Sequence, residues 1–164
     1  MHPVQDFQAS IKYGKAGEQI FKEEFLDFMG IEYVDVTNSQ KFQVIDTDFK
    51  TTVGTYEVKL NYKDDKHVII EDYTNINTKL AKESKGWFYK SESNLIVFIS
   101  KVTKVIVMIP FTKEFKDHYE QIKDIYQLKW NSVSQSGNRK WQSAYRRIPL
   151  EAITGFYSMY KRII

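Results

Sequence analysis

Cysteine is absent from this sequence. That excludes disulfides, thiolate metal sites and cysteine nucleophiles, and it suits a reducing compartment such as the cytoplasm. The opening MHPVQDFQAS lacks the apolar stretch of a secretory signal. The most apolar run, residues 102–111, is interrupted by Lys104 and Pro110 and is far too short to span a bilayer, so a soluble protein without a membrane partner is expected. His2, His67 and His118 are scattered, with no pair at metal-ligand spacing. There is no glycine-rich phosphate loop and no Gly-x-Ser-x-Gly elbow. Internal repeats, heptads and long low-complexity tracts are missing too.

What remains is a chain of 164 residues, 42% hydrophobic and 15% aromatic. It is long and apolar enough for one globular domain over 1–164 rather than disorder. A net charge of +3 does not by itself mark a nucleic-acid binder. The placement of charge says more. From Trp130 onward Arg139, Lys140, Arg146, Arg147, Lys161 and Arg162 face the single acid Glu151. Residues 130–164 thus read as a basic C-terminal extension, with Arg139, Lys140, Arg146 and Arg147 as candidate phosphate contacts that release counterions on binding. The competing reading is a solvated surface.

After an N-terminal arm (1–12), the periodicity predicts a helix from about Lys15 to Gly30, a C′ glycine, with Ile20, Phe21, Phe25, Phe28 and Met29 on one side. Residues 31–36 read as a strand, and Asn38-Ser39 as a turn. Residues 42–49 and 55–62 read as a hairpin turning through Gly54. After the charged turn Lys63-Asp64-Asp65-Lys66, 67–71 continues the meander. A helix around 79–85, strands at 95–100 and 104–109, and a helix over 112–129 capped by Thr112 follow. The loop 131–138, a strand at 140–148 and a helix over 150–164 complete the chain. The mixture predicts an α/β sandwich around a central mixed sheet flanked by helices.

The segment QVIDTDFKTTVGTYEVK, residues 43–59, carries the chemistry. Period-2 alternation puts Asp46 and Asp48 on one strand face, and Glu57 and Lys59 on one face of the next. Paired in matching register, they would bring two or three carboxylates to one ammonium. Repulsion among those carboxylates calls for a counter-ion, and oxygen ligands suit Mg²⁺ or Mn²⁺. Alternation is also what any half-buried strand shows, so Glu-x-Lys alone says little. At about 100° per residue Glu18 falls inside the apolar arc of the first helix, whereas Glu23 lies opposite. A carboxylate turned toward the core is costly unless paired or metal-bound; alternatively Glu18 favours the positive helix end. Glu71 reads as an accessory position or a solvent-facing edge residue, and Trp87, Trp130 and Trp141 as packing or base-stacking residues.

Glu18 after Gly17 on a first helix, Asp48 in Thr47-Asp48-Phe49, a short turn and then Glu57-Val58-Lys59 together resemble the PD-(D/E)XK nuclease superfamily. The likeness is to its small phage-type and Holliday-junction-resolvase-like members. It spans about Gly14 to Ile109 in order of elements; Lys85-Gly86-Trp87-Phe88 and Arg147-Ile148-Pro149-Leu150 resemble those proteins more loosely. Thr47 stands where the motif has proline, which leaves open whether Asp46 or Asp48 is the ligand; the spacing to Glu57 and the following Phe49 favour Asp48.

The resemblance implies a restriction-endonuclease-like core and a DNA endonuclease dependent on Mg²⁺ or Mn²⁺. Asp48, Glu57 and the Val58 carbonyl would hold metal, with Glu18 assisting, and Lys59 would stabilise charge at phosphorus. Two further readings differ in class: a nucleic-acid-binding module on this fold that has lost catalysis, and a phage or mobile-element protein that binds a host protein through an aromatic surface. A two-stranded cut at a junction would require a homodimer.

Overall fold

The computed structural model describes residues 5–61, 65–75 and 85–163, with the backbone alone at 5–11, 75, 134, 136 and 139–141. Its centre is a mixed sheet of six strands. Their order is β11 (Ser158–Tyr160), β7 (Ile106–Pro110), β6 (Leu95–Ser100), β4 (Gly54–Asn61), β3 (Phe49–Thr51) and β2 (Tyr33–Asp35). Only β4 and β6 run parallel, with Glu57 beside Ile96 and Lys59 beside Phe98; the other pairs are antiparallel. The α/β class with helices against a central mixed sheet is the one expected.

Alternation along β6 decides which layer each side chain joins. Val97 and Ile99 pack with Tyr56, Val58 and Phe49 beneath Phe21, Phe25 and Leu26. Ile96 and Phe98 join a second core on the opposite face, with Trp87 and Phe88 of α3 (Trp87–Lys90) and Phe115 and Tyr119 of α4 (Lys113–Ile122). A smaller sheet closes that side. In it β5 (His67–Asn75) pairs antiparallel with the long β10 (Arg139–Pro149), and β10 also pairs with β8 (Lys129–Trp130) and β9 (Ser134–Ser136).

Several elements differ from expectation. The first helix, α1 (Phe7–Phe21), starts well before Lys15 and absorbs much of the expected arm, while β1 (Gln5–Asp6) pairs with β9. It continues as a π-helix, Lys22–Asp27, before Gly30 ends it at φ 65°. The wider i→i+5 turns rotate the stripe: Leu26 is buried, whereas Phe28 and Met29 are about half exposed, and Arg162 stacks on Phe28. Residues 40–43 form a short helix, α2 (Gln40–Gln43), leaving only three residues for β3. The third strand of the expected meander instead leaves the large sheet, because β5 takes β10 as its partner.

Thr112 caps α4 as expected, accepting from the Phe115 N–H. The last helix does not form. One 3-10 turn, Leu150–Ile153, ends near Gly155 at φ 91°, and the chain returns as β11 along β7. The helix expected around 79–85, apart from Lys85, and the first half of the turn at 63–66 lie outside the described residues. Among the described residues no helix is long and apolar enough to cross a membrane.

Candidate active site at the free edge of β4

The short β3 creates the site. It pairs with β4 only from Gly54 to Tyr56, so Glu57–Asn61 have β6 on one side and no described strand on the other. Where the next ladder bond would fall, Asp48 supplies a side chain: the Val58 N–H donates to Asp48 Oδ2 at 2.8 Å. The N–H and C=O of one strand residue point to the same edge, so the Val58 carbonyl faces this edge too.

The turn carrying Asp46 and Asp48 is fastened from behind. Ser93 Oγ donates to the Asp46 carbonyl at 2.8 Å and lies 2.8 Å from Thr47 Oγ1, and the Glu92 N–H donates to Ile45 O at 3.1 Å. Thr47 is thus a buried hydrogen-bonding residue. Asp46 adopts φ 48°, a left-handed conformation that Asp tolerates better than most residues. It therefore leaves the strand instead of sharing a face with Asp48, and the two acids sit in different environments.

Glu57 is 5% exposed. Lys59 Nζ forms an ion pair with Glu57 Oε1 and sits 5.2 Å from the Trp87 ring centroid. Glu18 comes from the other layer, half-buried on α1. Its neighbour Gly17 explains how α1 approaches so closely: a Cβ there would lie 3.1 Å from Leu60 Cβ.

Burial raises all four acids. Asp48 is pushed up to about 6 by burial and the nearby Glu18 charge, against the Val58 N–H and Lys59. Glu57 is pushed up to about 7 by burial and Asp48, despite Lys59. Glu18 rises through burial, Asp35 and Glu57, and Asp46 through burial and Glu57 against Lys59. Burial alone would lower Lys59, but the charges of Glu57, Asp46 and Asp48 raise it, so its ammonium form is secured. The site is a desolvated, over-acidic patch around one lysine. Among the described residues no three His, Asp or Glu side chains close into a ready-made metal cage.

Of the expected phosphate contacts, Arg146 is engaged inside the fold. It pairs with the buried Asp72, donates Nε to Tyr126 O at 3.0 Å and reaches Asp124 at 3.1 Å. Isolation in a basic run concealed acids brought close only by folding. Arg147 lies beside His67; Arg139 and Lys140 are placed by backbone alone, on β10 opposite Ser136 and Gln135.

The structure adds Lys90, to which the sequence assigned no site role, and places Glu71 and Trp87 beside it. A polar cleft of ≈ 370 Å³ beside Asp46 and Lys59 is lined also by Glu71, Trp87 and Lys90. Gly86, from the segment Lys85-Gly86-Trp87-Phe88, was the available signal: its Cβ would meet Glu71 O at 2.2 Å. No protein-family model, curated protein or solved structure matches the chain.

Proposed function

We propose that the protein is a metal-dependent DNA endonuclease of the PD-(D/E)XK type, with its centre at the free edge of β4. The observation that carries this reading is the convergence of Asp48, Glu57 and Lys59 from one hairpin with Glu18 from a helix on the opposite face. Four acids, Glu57 buried and the other three half-buried, around one ammonium leave negative charge that a cation or protons must relieve.

The donor set fits Mg²⁺ or Mn²⁺. Oxygen ligands suit a hard cation, and Mg²⁺ typically takes one or two carboxylates and keeps several waters, so a closed three-carboxylate cage is not required. Asp48, Glu57 and the Val58 carbonyl would hold the ion, with Glu18 and Asp46 at its margin. Once bound, the ion would supply Lewis acidity toward a phosphodiester and lower the pKa of a coordinated water. Asp48 is aimed by the Val58 N–H, and Glu57 holds the Lys59 ammonium where it can stabilise charge developing on phosphorus.

Linear, nicked, flap and four-way DNA incubated with Mg²⁺, Mn²⁺ or EDTA test the reading. The expected result is cleavage that EDTA abolishes. DNA binding without cleavage of any substrate would favour the catalytically silent module, and no affinity for nucleic acid would favour the protein-binding one.

A further inference from the structure

The polar cleft next to the candidate site has two lysines and two acids on its walls. Lys59 is engaged by Glu57, and Glu71 accepts the Thr74 hydroxyl at 2.5 Å. Asp46 feels both Lys59 and Lys90. Lys90 is exposed and makes no ion pair or hydrogen bond with a described residue. Its charge acts on Asp46 across the cleft, but no ion pair with a described residue holds it in place.

The wall that presents Lys90 is rigid. Lys90 ends α3, and the start of that helix is pressed onto β5: the Gly86 N–H donates to Asp72 O at 2.8 Å, and no Cβ fits at Gly86 against Glu71 O. Trp87 and Phe88 anchor the helix in the core. Lys90 is therefore a long cationic side chain on a fixed base, at the mouth of a cleft that also contains Lys59. Arg146, a cation the charge distribution had nominated for this work, is held by Asp72.

We propose that Lys90 binds a backbone phosphate of the substrate DNA, so that the strand to be cut crosses the α3 wall to reach Lys59. This inference rests on the nuclease reading. Binding is measured with a fluorescent duplex in Ca²⁺, in a Glu57→Gln background, from low to moderate salt. Lys90→Ala should weaken binding roughly 5- to 10-fold near 0.1 M salt and flatten the slope of log K against log[salt] by about 0.9. Lys90→Arg should restore both, and Lys90→Glu should weaken binding further. Unchanged affinity and slope for Lys90→Ala, with both reduced by Arg139→Ala/Lys140→Ala, would overturn the inference alone and move the strand to β10. A parent protein that binds no DNA would overturn the nuclease reading with it.

Discussion

Beneath α4, Asp72 is 1% exposed, and donors from different elements meet both its oxygens. Tyr119 Oη donates to Oδ1 at 2.5 Å and Arg146 pairs with Oδ2, while Arg146 also bonds Tyr126 and Asp124. At the free edge of β4, Glu18, Asp46, Asp48 and Glu57 gather around Lys59, and burial raises every acid. One cluster satisfies its charge internally and ties α4 to β5 and β10. The other carries a surplus of acids in which, among the described residues, Lys59 with Glu57 forms the ion pair. A protein that can complete one buried ion network and leaves another over-acidic gives a physical reason to place function at the second.

Removing charge should therefore be felt in activity at one place and in stability at the other. Glu57→Gln and Asp48→Asn should reduce Mg²⁺-dependent cleavage by more than roughly 10³-fold while keeping the fold. Near-normal cleavage by either variant would remove that residue from the centre. Arg146→Ala should instead destabilise the protein by about 3–5 kcal/mol, because Asp72 is left as an unpaired buried charge. Denaturant unfolding measures this, and a loss below about 1 kcal/mol would show that the Asp72 cluster is not the structural tie described.

How much of this was legible depended on the range of the interactions. The β4, β6 and β7 strands, the Thr112 cap and the shared face of Glu57 and Lys59 follow from alternation and local chemistry, whereas of the strand expected at 42–49 only Phe49 lies in β3. Gly17 and Gly86 were visible as residues, but their close approaches to Leu60 and Glu71 exist only once distant elements meet. Alternation marks β5 as a strand without saying that its partner is β10, far along the chain. The same limit misled the reading of Arg146, which looked surplus in a basic stretch until Asp72 arrived from β5. The final helix failed for a local reason: Gly155, at φ 91°, breaks the turn that Pro149 begins.

Lys59 sharpens the contrast kinetically. Its ammonium is secured by the surrounding carboxylates, so Lys59→Ala should lower turnover by roughly 10²–10³-fold. Apparent Kd for DNA should stay within a few-fold, since the charge acts chiefly as it develops at phosphorus. Loss of DNA binding in step with turnover would make Lys59 a simple phosphate contact.

The smallest expected effect separates the clusters by pH. Asp48 and Glu57 ionise at about 6 and about 7 in the folded chain, against about 4 for unfolded carboxylates. From about pH 4 to 7 the folded state keeps protons that the unfolded state has released, so their contribution to stability falls as pH rises and levels off above 7. Other carboxylates also titrate in this range, which makes the difference between variant and parent the quantity to follow. In EDTA, the melting temperature of Glu57→Gln minus that of the parent should be near zero at pH 4 and grow to a few °C by pH 8, at roughly 2–4 °C per kcal/mol for a chain of this size. Mg²⁺ or Mn²⁺ should raise the parent's melting temperature most at the alkaline end, because metal binding releases those protons, and should do less for the variant. A difference that stays constant from pH 4 to 8 would mean that Glu57 is not held protonated by its burial, and the surplus of negative charge at the free edge of β4 would have to be relieved by other groups.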